Sequence, residues 1–416
     1  MNELISKYKD KYFKYKNKYL NLKYGGQSKY RPISLRTFSK NYYVNIRSEL
    51  ILDVYFKDKL VSTLESNGYK LSSKEDASVV FIYGQDRYPK QNEGETSKEF
   101  EERKRQHETQ FTHIYMINML YGEFKEIITN KVRFHEYFKY NKIIQKYLIP
   151  WVTIKKDSID KDILKVVFTK DEFKVLKAEN GYRSMGTILV NNREEIRNHI
   201  SFYNNNPLFF NVQQNQALLA KNWIVEDYIN QDKIEGRKFF IRVYILVISS
   251  SNHFKVYMSN KHPYNIMKKE SKNLLLSNED IDNRVGANLL IKVGAGQNDL
   301  IDIDDKKVIY TFEENPYWPR YLPDGYTKDD ILHIDLNLRE LFINIFGDNE
   351  LRRLRPDFNS QRGFEMFGCD VSFVNKEVKL HEMNRRTSLL SQAPFIEDII
   401  KIYKEEDNFD NLSRIL

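Results

Sequence analysis

A chain of 416 residues is too long for one ordinary core and divides into two or three domains at about 150 residues each. With 41% apolar and 30% charged residues it can bury a core and is not broadly disordered, and its single cysteine, Cys369, excludes a disulfide framework, a zinc finger and an iron–sulfur site. Lys and Arg number 66 against 58 Asp and Glu, and this net +8 admits an acidic partner, nucleic acid or an acidic protein tail, without choosing between them.

At the N-terminus, Ile5, Tyr8, Tyr12, Tyr15, Tyr19 and Leu22 recur at steps of three and four among lysines, one helical stripe that Gly25-Gly26 ends. Such a helix docks on its own domain or on a twin, or it anchors an acidic partner. No apolar stretch follows its basic residues and no apolar run of about 18 residues occurs, so neither a secretory signal nor a membrane span is expected. Residues 28–140 read as a small α/β domain. It has a helix over Glu49–Ser66, a buried strand over Ser78–Tyr83, a polar loop with an exposed helix over 84–110, and basic and aromatic residues at helical spacing over Gly122–Tyr140. Pro150 marks a boundary. Strands follow at Phe173–Lys177, Trp223–Tyr228, Lys238–Ile248, Glu365–Val374 and Glu377–Met383, with helices over Arg193–Phe202, Ile331–Phe346 and Phe395–Tyr403. Residues 285–328 read as an insertion.

Three constellations carry chemistry. The first is a hairpin, Phe364–Val374 and Val378–Asn384, with Asn375-Lys376-Glu377 at the turn. A three-residue loop pairs Val374 with Val378, which puts Asp370 opposite Glu382 and Asn384 on the face of Glu382. Opposed carboxylates repel unless a cation lies between them. Carboxylate and amide oxygens beside phosphate suit Mg²⁺, whereas a bulge would break the register and leave ordinary surface acids. The second is Gly236–Val247, where Lys238, Phe240 and Arg242 share one strand face and Phe239, Ile241 and Val243 the other. Two cations on a buried strand need anions, either carboxylates across the sheet or a bound polyanion. The third is Val175–Gly186, a strand ending in Lys177 and a loop with Gly181, Arg183 and Gly186. It is able to close over phosphates but is not a Walker loop.

The order of these parts resembles the tubulin tyrosine ligase family. It rests on VLKAENGYRSMG, WIVEDYI, GRKFFIRVYILV, PYN with LLLSN, and FGCDVSF with VKLHEMNRRTSL, from about Ile117 to the C-terminus. The lysine–tyrosine N-terminus, outside that span, resembles proteins of giant DNA viruses of the mimivirus type. The family resemblance implies the α/β (α+β) ATP-grasp fold, with ATP held between two α+β lobes, 141–265 and 266–416. Residues 28–140 would be the small domain and 1–27 the basic helix. It implies nucleotide-binding roles for Lys177, Arg183, Gly186, Glu226, Tyr228, Lys238 and Asn278, Mg²⁺ on Asp370, Glu382 and Asn384, and catalytic roles for Arg242, Glu382 and Asn384. Four positions depart from the family pattern: Ala178, Asp227, Phe240 and Met258. The metal and phosphate end keeps the pattern; the nucleoside end and part of the acceptor end do not.

The implied activity is an ATP-dependent carboxylate–amine ligase. It joins a free amino acid (Glu, Gly or Tyr) to an acidic protein such as a tubulin tail, through an acyl phosphate, in the cytoplasm of a cell or of a virus's host, or in a virion. A non-catalytic nucleotide-binding protein with an assembly role is the alternative. The basic residues are spread along the chain without an RNA-binding motif, so nucleic acid is not the expected partner, and no membrane is expected. Cys369 is expected in the core, facing away from Asp370.

Overall fold

The computed structural model describes residues 41–46, 51–73, 79–83, 96, 99, 115–116, 123–170, 172–179, 187–205, 220–234, 236–249, 254–266, 317–318, 322–354, 363–384, 395–403 and 409–416. The chain divides into Met1–Ser39 and Lys40–Leu416, and every described residue lies in the second unit. The expected N-terminal helix over 1–27, most of 84–110 and most of 285–328 lie outside the described residues.

In chain order the strands are β1 (Asn41–Ile46), β2 (Lys70–Leu71), β3 (Val79–Tyr83), β4 (Tyr115–Met116), β5 (Trp151–Lys155), β6 (Lys174–Ala178), β7 (Thr187–Val190), β8 (Asn222–Asp227), β9 (Lys233–Ile234), β10 (Arg237–Ser249), β11 (Phe254–Ser259), β12 (His262–Ile266), β13 (Tyr317–Trp318), β14 (Gly363–Val374), β15 (Glu377–Asn384) and β16 (Leu412–Arg414). The helices are α1 (Ile51–Ser66), α2 (Glu123–Thr129), α3 (Lys131–Phe138), α4 (Lys142–Gln145), α5 (Ile159–Ile163), α6 (Arg193–Asn205), α7 (Lys328–Phe346), α8 (Asn349–Arg353) and α9 (Ile396–Tyr403). Each strand and helix expected from the sequence and falling on described residues is found, with ends shifted by a few residues. The expected helix over Gly122–Tyr140 is two helices. The Asn130 side chain accepts the backbone N–H of Arg133 and caps a fresh start at Lys131.

The strands form two sheets. The larger runs β13-β12-β10-β14-β4-β3-β1-β2, with β11, β9, β15 and β16 paired off this path. The smaller runs β5-β8-β6-β7 and is antiparallel throughout. The large sheet thus takes strands from both ends of the chain, because β4 pairs with β14 and continues through β3 to β1. The expected division at residue 265 runs through β12; the chain changes sheets instead at 148–151 and at 228–232.

Alternation along β10 decides how the sheets are used. Phe239, Ile241, Val243, Ile245 and Val247 enter one core with α7, whose Ile334, Leu338, Leu341, Phe342 and Ile345 recur at helical spacing. Each such side chain taken out of water contributes about 2 kcal/mol, and a capping box of Thr327 and Asp330 starts the helix. On the opposite face Tyr244, Leu246 and Ile248 pack with Leu60 and Leu64 of α1 and with Ile399 and Ile402 of α9. Towards the start of β10 that face carries Lys238 and Arg242 instead. Its cover there comes from the small sheet, which has its own core of Leu176, Val190, Trp223, Val225, Ile196 and Ile200.

Candidate active site

Three adjacent strands place three charged side chains in one row. Arg242 of β10 is the direct partner of Asp370 of β14, and Asp370 is the direct partner of Glu382 of β15. Arg242 Nη2 donates to Asp370 Oδ2 at 3.1 Å, and Nε lies 2.5 Å from Oδ1 as an ion pair without hydrogen-bond alignment. Of the two origins open for the basic strand's counter-charge, Arg242 therefore takes a carboxylate across the sheet. Lys238 has no carboxylate partner among the described residues. Its ammonium lies 4.2 Å from the centre of the Tyr228 ring and also contacts the Tyr228 hydroxyl, and burial pulls its pKa down to about 8. A cation held at the edge of its charged range without an anion is a ready phosphate partner.

The hairpin reaches the expected pairing by another route. Its turn has two residues, Asn375 and Lys376, both with positive φ (51° and 68°), and Val374 pairs with Glu377 rather than Val378. In that register Asp370 would meet His381. A bulge between Asp370 and Val371 on one strand and Leu380 and Glu382 on the other shifts the pairing by one, and Asp370 meets Glu382 after all. Burial follows the shift: Val378, Leu380 and Met383 are buried, while His381 and Glu382 are consecutive half-buried residues. The bulge thus turns His381 and Glu382 to one side. His381 Nε2 lies 2.7 Å from the Ser372 hydroxyl, and burial, helped by Lys177, holds the imidazole down to about 4.

Asp370, Glu382 and Asn384 converge. The Asn384 amide donates to Glu382 Oε1 at 2.7 Å and lies 3.5 Å from Asp370 Oδ2. Burial and the neighbouring Glu382 raise Asp370 to about 7, against the pull of Arg242. Burial works against the charge on Glu382 as well, but Lys131, Asn384 and Lys177 outweigh it and hold that carboxyl well below the usual range. Two carboxylates meet on one spot, and Asn384, whose amide nitrogen faces both, would complete a donor set that suits a hard divalent cation by turning its amide oxygen to them. Among the described residues no three His, Cys, Asp or Glu side chains gather as a metal cage.

The small sheet faces this row. Lys177 Nζ lies 2.6 Å from Oε2 of the buried Glu226. Sequence reading missed two residues that join the sheets. Lys131, at the first position of α3, reaches Glu382 Oε2 at 3.1 Å. His135, one turn later, places Nε2 3.8 Å from Glu226 Oε1 and Nδ1 2.8 Å from the Lys131 carbonyl. The only available signal was a Lys and a His four apart behind an Asn cap, which many solvated helices share.

Arg183, Gly186 and Asn278 lie outside the described residues. The four departures from the family pattern each have a structural setting. Ala178 and Met258 are buried in cores, and Phe240 sits half-buried opposite Asn265. Asp227 lies 2.7 Å from Lys174 Nζ, which also holds Glu172 at 2.6 Å. Cys369 is buried in the core, and its thiol is pushed up by burial. No helix of the described residues is long and apolar enough to cross a membrane.

Residues 158–283 match the model of the Tubulin-tyrosine ligase family, a stretch that holds Lys177, Glu226, Lys238 and Arg242 and ends before the hairpin. No curated protein matches the chain. Among solved structures, the C-terminal domain from K. lactis Pby1, an ATP-grasp enzyme interacting with the mRNA decapping enzyme Dcp2, is 14% identical. That similarity covers 90% of this chain and 98% of that one with a TM-score of 0.48. The family match thus lies on residues 158–283, the stretch that carries Lys177 and Glu226 of the small sheet and Lys238 and Arg242 of β10.

Proposed function

We propose that the protein is an ATP-dependent carboxylate–amine ligase that joins a free amino acid (Glu, Gly or Tyr) to an acidic protein tail, such as that of tubulin, through an acyl phosphate. The observation that carries this reading is the row Arg242–Asp370–Glu382, faced by Lys177 and Lys238 and completed by Asn384. Asp370, Glu382 and Asn384 would hold Mg²⁺, which when bound neutralises charge on the transferring phosphate. Lys177, now resting on Glu226, and Lys238, now resting on Tyr228, would turn to phosphate oxygens. Arg242 would hold Asp370 in place and offset the charge that builds up during transfer. Such chemistry needs no side-chain nucleophile, which agrees with a buried Cys369 whose thiol stays protonated. The net +8 of the chain favours an acidic acceptor over a basic one.

The test is intact-mass analysis of acidic proteins incubated with the full chain, Mg·ATP and a mixture of amino acids. Stepwise mass gains name the amino acid joined. ATP binding without any mass gain or amide formation across tubulin and other acidic tails would favour the non-catalytic alternative.

A further inference from the structure

His135 stands where two acceptors face each other. A carbonyl oxygen only accepts, so the contact with the Lys131 carbonyl at 2.8 Å places the neutral ring's proton on Nδ1 and leaves a lone pair on Nε2. That lone pair points at Glu226 Oε1 across 3.8 Å, too far for a hydrogen bond. The ring cannot turn to relieve this without losing its bond to Lys131 and its edge contact with Trp151, 5.1 Å between ring centres. Glu226 is buried, and its charge is met by Lys177 at 2.6 Å. The charged or titratable groups facing His135 are Glu226 from β8, Lys177 from β6, Glu136 and Lys131 on α3 itself, and His381 and Glu382 of β15 in the same small cleft. Burial outweighs the carboxylates there, so the ring is neutral as it stands.

We infer that His135 is a positioning residue that takes over Glu226 when Lys177 turns to a phosphate, binding one proton on Nε2 as it does so. This rests on the proposed nucleotide site. A Lys177 ammonium drawn to a phosphate leaves Glu226 as a buried carboxylate without a counter-charge, which is costly. A proton from solvent on Nε2 turns the facing lone pair into a donor and supplies that charge. The Lys131 carbonyl keeps the ring aimed meanwhile. His135 is thereby the second of two partners for one carboxylate, and nucleotide binding at Lys177 is linked to proton uptake.

The experiment is titration calorimetry of the full chain with ADP, without divalent cation, in two buffers of different ionisation enthalpy at pH 7. It is repeated on His135→Gln, which keeps a neutral amide donor, and His135→Phe, which keeps only the ring. Wild type should take up close to one proton more than His135→Gln, and its affinity should fall with rising pH where that of His135→Gln does not. The comparison cancels proton exchange by ADP itself. His135→Phe should bind ADP about tenfold more weakly, because nothing then answers Glu226. Thermal melts verify that both variants fold. Equal proton uptake by wild type and His135→Gln overturns the inference while leaving the nucleotide site standing. Absence of ADP binding by wild type overturns the nucleotide site, and this inference with it.

Discussion

Asp370 and Glu382 face each other across a hairpin whose turn would pair Asp370 with His381, and the one-residue bulge at His381 corrects the register. The turn is one residue shorter than expected and the strand one residue longer, so two departures cancel at the carboxylates. A side-chain period of two leaves no tolerance for a single uncancelled step, which would carry Glu382 to the opposite face.

The charge on Glu382 is then what a divalent cation would use. Glu382→Gln keeps the volume and the Asn384 contact but removes that charge. It should lower cation-dependent ATP turnover by at least about 100-fold with an unchanged circular dichroism spectrum. Turnover at the wild-type level would remove Glu382 from the site.

Deleting His381 separates register from bulge. The shortened strand should still place Glu382 opposite Asp370, so divalent-cation binding, followed by calorimetry, should persist while Ser372 loses its partner. A loss as complete as in Glu382→Gln would mean that the bulge, and not only the pairing, shapes the site.

Arg242→Ala removes the partner of a largely buried carboxylate and should cost about 3 kcal/mol in urea unfolding. Adding Asp370→Asn should recover part of that stability, because the stranded carboxylate is gone, yet leave turnover absent. Strictly additive losses in the double variant would show that the two side chains are energetically independent.

Away from the cleft, Asp162 offers a pH test. Burial works against its charge, but Lys165 at 2.6 Å, the Ser158 hydroxyl at 2.6 Å and the Lys155 backbone N–H at 3.1 Å hold it down to about 2. A depressed carboxyl adds stability that is complete above the unfolded value near 4 and is lost as pH falls towards 2. Asp162→Asn should therefore lose about 2 kcal/mol at pH 7, and the gap to wild type should close between pH 4 and 2. A gap that stays constant over that range would show that the carboxylate's charge is not involved.

The hairpin and the basic strand were legible because strand alternation is a strict rule: Lys238 and Arg242 against Phe239, Ile241 and Val243 admits one arrangement. Whether Arg242 met a carboxylate or a ligand was not legible, since that depends on which strand lies beside β10, and β14 is more than a hundred residues away. Lys131 and His135 were invisible for a similar reason. Their partners Glu382 and Glu226 belong to different sheets, and nothing local to α3 marks which carboxylates it will meet. The sheet membership of β1, β3 and β4 was also hidden, because short strands carry no signal of the strand they will join.

Among the described residues the chain passes between the two sheets at only two places, and these lie side by side. The Asp227 N–H donates to the Pro150 carbonyl at 3.0 Å, joining the two crossings. On the large-sheet side both are tied down. The Leu380 N–H donates to the Tyr147 carbonyl at 2.8 Å and the Asp232 N–H to the Phe373 carbonyl at 2.8 Å, while the Asp232 carboxylate takes the N–H groups of Asn375 and Lys376 and the Tyr326 hydroxyl. Ile229 and Asn230 are left as the free links of the second crossing. Both crossings into the small sheet are therefore anchored on the hairpin itself. Arg242, Asp370 and Glu382 take their register from β10, β14 and β15 alone, whereas Lys177 and Glu226 are placed by β6 and β8, so the row of three is complete without any strand of the small sheet.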